Sequence, residues 1–319
     1  MKLSIIIVSW NTRELLAQCL ESVGANLKMW ADATVETFVV DNASTDGSAP
    51  MVRERFPWVR LIENAENVGF ARANNQAIPG CRGNYVLLLN SDTVVPPGAL
   101  ADLVAALENN PRTGAAGPQM LSPDGTLQNS YGKLPSVWYE IIGPYWLDRL
   151  ARIWQKPGGR LSGRRMNDDN CIMTERVSFA CAMIRRQAFD QVGLLDEQFV
   201  FYSEDYDWFK RLKMVGWQVL FCPWAQVVHY WGASSGKRSE WALVQLYRGK
   251  RQYLLKHHGI AAERLVRAGF ILRFLVKAIT ACALWPWRRQ ETRRRWRQQL
   301  HLIQYMLTPL QHAEENAPL

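Results

Sequence analysis

The sequence predicts an α/β protein with a mostly parallel central sheet flanked by helices and a C-terminal helical extension. Three observations point there. Over residues 1–120, short apolar runs alternate with segments of helical spacing, the mark of βαβ units. The strand candidates contain continuous apolar runs, such as Ile5–Val8 and Tyr85–Leu89, as strands buried on both faces do. The last third of the chain is basic and helical in its spacing. With 319 residues, 48% of them hydrophobic and 21% charged, the chain can bury one large core.

Taken in order, Leu3–Val8 reads as the first strand, because its apolar run is too short for the core of a secretory signal. A helix over Arg13–Val23 follows, with Thr12 at its start. Next come a strand over Val35–Val40, a helix over Asp46–Phe56 opened by Thr45, and a strand over Val59–Ile62. A helix over Phe70–Ile78, a strand over Tyr85–Leu89 and a helix over Gly98–Glu108 opened by Pro97 complete this half. From about residue 130 to 170 the texture turns to Gly, Pro, Trp and Arg, which predicts a mobile loop or lid. "ERVSFACAMIRRQAFDQVGLLDEQF" then reads as a strand and a short helix, and "YSEDYDWFKRLKMVGW" as a helix capped by Ser203. "WQVLFCP" and "AQVVHYW" read as two strands, and helices fill most of Glu240 to Thr308. The expected division is a main domain over 1–240, in two halves (1–120 and 121–240), and a helical extension over 241–319.

Composition excludes several classes. The six cysteines have no CxxC spacing, so neither a zinc site nor a disulfide framework is indicated, and reduced thiols in a cytoplasm are expected. GxGxxG and GxxxxGK[ST] are both missing, which disfavours a Rossmann oxidoreductase and a P-loop enzyme. The net charge of +9 is concentrated: Arg248–Leu319 holds 14 basic against 4 acidic residues, leaving the rest nearly neutral.

Polar groups at the ends of apolar strands are the candidates for chemistry, because open parallel sheets bind ligands at their carboxyl edge. Asp41 ends a strand and can either accept a hydrogen bond from a nucleobase or ribose, or close an Asx turn. "NVGFARANNQAI" sets Asn67 and Gly69 at a helix start, with Arg72 one turn on. This is either a place for a phosphate or an ordinary turn. "LLLNSDTVV" carries Asp92 at the tip of a buried strand, where one carboxylate suits a hard cation such as Mg²⁺ or Mn²⁺ shared with substrate phosphates. "SEDYD" puts Glu204, Asp205 and Asp207 in a first helical turn. There they either complement the helix dipole or, beside aromatic surface, supply a base. His229 ends a further apolar strand, as a core histidine or as a metal or phosphate partner.

Taken together and in order, "SIIIVSWNTRELLAQCLESV", "VVDNASTDGS", "NVGFARANNQAI", "YVLLLNSDTVVPPGAL", "CAMIRRQAFDQVGLLDEQFVFYSEDYDWFKRLKMVGW" and "VVHYWGAS" resemble inverting nucleotide-sugar glycosyltransferases of family two and the GT-A fold. The likeness is to their bacterial rhamnosyltransferase-like branch, and it covers about residues 3 to 258. The resemblance implies that Asp41 meets the donor nucleobase beside the Ser9-Trp10-Asn11 loop, with Asn67, Gly69 and Arg72 in the donor segment. It puts Asn90-Ser91-Asp92 in place of the DxD motif, Ser91 replacing its first acid, so that Asp92 alone of the motif ligates the metal, with His229 nearby. Glu204-Asp205 matches the family's "ED" pair, with Asp205 as catalytic base. The implied partners are a dTDP- or UDP-sugar donor and a cell-surface glycan or lipid-linked acceptor. The competing expectation is an inactive nucleotide-sugar-binding or scaffold protein of the same fold.

In the extension, "LVRAGFILRFLVKAITACALWPW" (265–287) is interrupted by Arg267, Arg273 and Lys277. Such a helix suits the surface of an anionic membrane better than its interior. The expected location is cytoplasmic, peripheral on the inner face of the plasma membrane. Packing on the catalytic domain is the plainer alternative, and nucleic-acid binding is disfavoured for want of a docking motif.

Overall fold

In a computed structural model, the structure describes residues 2–28, 34–142, 171–230, 240–283 and 289–308. The chain forms two compact units, Met1–Leu134 with Leu161–Lys237, and Pro135–Arg160 with Arg238–Leu319. The loop expected over 130–170 is described only to residue 142, and the remainder of that expectation lies outside the described residues.

The first unit is built on β1 (Lys2–Ser9), β2 (Thr34–Asp41), β3 (Val59–Glu63) and β4 (Tyr85–Asn90), which lie side by side in parallel in the order β3-β2-β1-β4. Period two explains how each strand serves both faces. Leu3, Ile5 and Ile7 of β1 join one core, with Leu87 and Leu89 of β4, while Ile6 joins the other, with Val86 and Leu88. α1 (Arg13–Lys28), α2 (Ser48–Arg55) and α4 (Ala99–Glu108) cover the first core through Leu16, Leu20, Val52, Leu103 and Leu107. α3 (Phe70–Ala77), α6 (Arg186–Val192) and α7 (Glu204–Met214) cover the second through Ala73, Phe189, Trp208, Phe209 and Leu212. Each buried Leu or Ile contributes about 1.5–3 kcal/mol, so the strands that carry the site are the best-anchored part of the unit.

Beyond β4 the sheet becomes mixed. β10 (Cys181–Arg185) runs antiparallel between β4 and β6 (Thr113–Leu121); β6 is parallel to β11 (Gln218–His229). β5 (Thr93–Val94) and β8 (Ile172–Thr174) pair antiparallel with β11, and β7 (Tyr131–Gly132) pairs with β9 (Arg176–Val177) in a small second sheet.

Four local expectations are corrected. β6, "TGAAGPQML", was not anticipated, because its residues are small rather than branched; they are small because neighbours approach closely. A Cβ on Gly117 would lie 2.6 Å from the Val177 Cβ. The two strands expected over 217–231 are one strand, β11, with a register shift between Cys222 and Gln226, where Pro223 offers no N–H to the ladder. α2 and α4 start after Gly47 and Gly98, both left-handed, so Thr45 and Pro97 lie upstream of the helix caps. Ser203 precedes α7 in a left-handed conformation (φ 72°) and its hydroxyl makes no capping bond.

The second unit holds α5 (Val137–Ile142), α8 (Glu240–Ala283, broken at Gly259) and α9 (Arg289–Leu307). A buried Arg251–Glu263 pair at 2.7 Å spans the break in α8, and Val266, Phe270, Phe274, Leu302 and Met306 form the unit's core. Arg273 donates to the Ile141 carbonyl at 2.9 Å, so it is turned inward. The outer face of α8 is instead apolar, with Leu265, Leu272, Leu275, Val276 and Ile279 all exposed. Among the described residues, no helix is long and apolar enough to cross a membrane.

Candidate active site

The parallel strands deliver their polar tips to one edge. β2 ends on the buried Asp41, whose Oδ2 accepts the Ser44 N–H at 2.9 Å while Oδ1 is buried with no hydrogen-bond partner. The turn reading of Asp41 matches the Oδ2 contact, while Oδ1 is left over, an arrangement that costs stability unless a ligand donor fills it. The adjoining loop after β1 is laced to it. Asn11 (φ 52°) donates its N–H to Ser44 Oγ at 2.9 Å and accepts from the Thr45 N–H at 2.8 Å, and Trp10 beside it is half-buried. Ser9 Oγ lies 3.1 Å from Thr12 Oγ1, which lies 2.8 Å from Ser91 Oγ, so a chain of hydroxyls ties β1 to the loop after β4. The Thr12 hydroxyl is thus engaged away from the start of α1.

At the start of α3 two backbone donors are already in use. The Gly69 N–H goes to Asn67 Oδ1 at 3.0 Å and the Phe70 N–H to the Val200 carbonyl at 3.4 Å. Gly69 has φ +83°, and a Cβ there would come within 2.8 Å of the Val200 carbonyl, so its glycine is required for packing. Asn42 donates to the Gly69 carbonyl at 3.3 Å, which joins this turn to the tip of β2. Arg72 is well exposed and lies 3.9 Å from Glu197.

Asp92 and His229 meet because β5 pairs with the end of β11, His229 opposite Thr93. Both side chains are buried, with His229 Nε2 3.3 Å from Asp92 Oδ1, and Asn90 Nδ2 lies 3.5 Å from the same nitrogen. Gln128 sets the state of the ring. Its amide nitrogen donates to the His229 carbonyl at 2.7 Å and to Ser122 Oγ at 3.1 Å, so its oxygen, 2.9 Å from Nδ1, accepts the Nδ1–H. Nε2 faces the Asp92 carboxylate oxygen: a neutral ring turns its lone pair to that oxygen, whereas a protonated ring donates to it. An imidazole with a carboxylate suits a divalent ion whose other positions are filled by phosphate and water. Among the described residues there is no cluster of three His, Cys, Asp or Glu side chains able to hold a metal by themselves. The donor set fits a metal shared with a substrate, and does not fit an all-protein cage.

The second acidic centre opens α7. The segment before it rests on Gly69 through Val200, on the carboxyl side of β3. Asp205 Oδ1 accepts the Tyr206 N–H at 2.8 Å, and Oδ2 lies 3.7 Å from Arg176 Nη1. Burial pushes the Asp205 carboxyl up, opposed by the Arg176 charge. Burial, then the Asp205 charge, push Glu204 up to about 8, and Glu204 Oε2 is buried without a partner. Asp207 does something different: it is fully buried and pairs with Arg211 at 2.9 Å, one turn on, which makes it structural.

Three groupings therefore assemble at this edge: Asp41 with Asn11, Asn42 and Gly69; Ser9, Ser91, Asn90, Asp92 and His229; and Glu204 with Asp205. No hydrogen bond or ion pair among the described residues joins Asp92 to Asp205. Gln128 and Arg176 escaped the sequence reading. Neither lies in a motif, and the only hint was polarity next to a short strand.

Residues 4–193 match the family model for Glycosyl transferase family 2. Over 264 residues the chain is 30% identical to an N-acetylglucosaminyl-diphospho-decaprenol L-rhamnosyltransferase of Mycobacterium tuberculosis, spanning 75% of this chain and 80% of that one. It is 27% identical over 236 residues to the O-antigen biosynthesis protein RfbC of Myxococcus xanthus, covering 73% of this chain and 18% of that protein. Among solved structures, the mannosyltransferase PcManGT from Pyrobaculum calidifontis, in complex with GDP-Man and Mn²⁺, aligns with a TM-score of 0.52 at 18% identity over 96% and 86% of the two chains. GalNAc-T7 with UDP, GalNAc and Mn²⁺ aligns with a TM-score of 0.53 at 17% identity, over 78% of this chain and 47% of that one. At those identities the likeness speaks for the fold.

Proposed function

Because the chain belongs to glycosyl transferase family 2 and is a glycosyltransferase, we propose that it transfers rhamnose, with inversion, from a dTDP- or UDP-sugar to a hydroxyl of a lipid-linked or cell-surface glycan. The rhamnosyltransferase of M. tuberculosis, whose name specifies a diphospho-decaprenol acceptor, supports the choice of sugar and of a lipid-linked acceptor. The observation that carries the reading is the pair of separated acidic centres on the carboxyl side of the parallel strands. One is buried beside a histidine and the other beside an arginine.

In this reading the donor base lies against the unfilled Asp41 oxygen, flanked by Ser9, Trp10 and Asn11, with Asn67, Gly69 and Arg72 shaping the rim. The diphosphate extends toward Asn90, Ser91 and Asp92. Asp92 and His229 hold Mg²⁺ or Mn²⁺, which when bound supplies positive charge against the leaving diphosphate. The acceptor oxygen attacks the anomeric carbon as its proton passes to Asp205, and the bond from that carbon to the diphosphate oxygen breaks, the electron pair leaving with the nucleotide. Glu204, largely protonated at neutral pH, leaves Asp205 as the member of the pair that accepts a proton. The second unit, basic and apolar on its outer face, holds the enzyme against the anionic inner leaflet where a polyprenyl-linked acceptor resides.

Asp205→Asn tests the base. Turnover should fall by about 10²–10⁴-fold, the range for a positioned general base, while calorimetry with the nucleotide diphosphate still gives binding. Near-wild-type turnover would remove Asp205 from the mechanism.

A further inference from the structure

Arg176 projects from β9 with only 14% of its side chain exposed. Its Nε is buried without a hydrogen-bond partner, its guanidinium carbon stands 4.7 Å from the centre of the Tyr206 ring, and Nη1 lies 3.7 Å from Asp205 Oδ2. A buried cation with a donor left unsatisfied is costly unless its charge serves a neighbour. Its position is also fixed from behind. Arg176 pairs in register with Gly132 of β7, and the next residue, Val177, fills the space over Gly117 that a Cβ would occupy.

We propose that Arg176 is a positioning residue for glycosyl transfer: it holds the Asp205 carboxylate in one orientation and supplies its counter-charge, acting on the acceptor only through Asp205. The inference rests on the reading of Asp205 as the base. A hydrogen bond from Tyr206 N–H on Oδ1 and the Arg176 charge facing Oδ2 act on two different oxygens and limit rotation of the carboxylate. Stacking on Tyr206 holds the planar guanidinium in a way that lysine does not reproduce. Among the described residues, the charged groups facing Asp205 are Arg176 from β9 and Glu204 from its own helix. Burial raises both acids, and Arg176 is the one charged side chain that pulls Asp205 back toward ionisation.

The test compares Arg176→Gln and Arg176→Lys in the full chain, with dTDP-rhamnose as donor and an N-acetylglucosaminyl-diphospho-polyprenol as acceptor. Arg176→Gln should lower kcat by roughly 10–100-fold, the cost of a misplaced reacting group, with little change in the donor KM. The acidic limb of its pH–kcat profile should move upward by about one pH unit or more, as expected for loss of an opposite charge at this range. Arg176→Lys should recover part of the limb and less of the rate. A limb that stays put in Arg176→Gln overturns the inference even if kcat falls, because an arginine needed only for folding would cost rate without moving it. A second measurement needs no turnover: the ¹³C carboxyl resonance of Asp205, assigned by its loss in Asp205→Asn, should titrate at higher pH in Arg176→Gln. An unmoved midpoint overturns the inference. If the wild type fails to transfer rhamnose between these substrates, the substrate assignment falls, and the carboxyl titration still decides Arg176.

Discussion

Glu204 and Asp205 are adjacent, both acidic and both largely withdrawn from water, yet one faces a guanidinium and the other has an oxygen with no partner. That difference produces a testable pH dependence. Burial, then the Asp205 charge, push the Glu204 carboxyl up from the ordinary 4.5 to about 8 in the folded state, so the folded state binds the extra proton. Its contribution to stability is therefore fully present below pH 4.5 and is lost progressively as the pH rises through about 8. Glu204→Gln, which removes the ionisation and keeps the shape, should be more stable than wild type at pH 8.5, with the gap closing by pH 5. Thermal melts at the two pH values check this, and a gap of equal size at both would contradict it. The acidic pair itself was legible in the sequence, because three acids crowd one helical turn beside aromatics. Their division of labour was not, since it depends on Arg176, which lies 29 positions upstream of Asp205 in the chain.

At the scale of elements, the small residues of β6 decide where β9 lies. Gly117 leaves room for Val177, and Val177 is covalently next to Arg176. Gly117→Ala should cost about 1–3 kcal/mol by overpacking and lower turnover through displacement of β9. Val177→Ala in the same chain should recover part of both losses, because it vacates the volume that the new methyl needs. Urea unfolding of the two single variants and the double variant measures the coupling, and strictly additive losses would mean that the contact matters little. Strands β1 and β4 were readable because a strand buried on both faces is mostly apolar, and β2 and β3 because short apolar runs recur between helical segments. β6 was hidden because its burial is achieved by small residues meeting large neighbours, which carries no hydrophobic signature. The single bent strand β11 read as two because Pro223 breaks the pattern without ending the pairing.

For the whole molecule, the second unit has a core of its own and an outer stripe on α8 of Leu265, Leu272, Leu275, Val276 and Ile279. From Arg264 to Ala283 the helix carries no acid, so the charges beside that stripe are all cationic. Vesicles containing phosphatidylglycerol should pellet the protein at low salt. Leu272→Asp with Val276→Asp should abolish most of the binding without altering the melting temperature, since both side chains are exposed. Protein left in the supernatant with anionic vesicles would argue that this face serves another purpose. By itself the sequence determined the parallel half of the sheet, the family and the residues that end each strand, because hydrophobic period and local order in the chain are properties of short segments. Only the tertiary structure decided that Gln128 orients His229 toward Asp92, that Arg176 faces Asp205, and that α8 turns Arg273 inward and Leu265, Leu272 and Leu275 outward. Each of these depends on a contact between distant segments, and local spacing holds no information about which distant side chain will arrive.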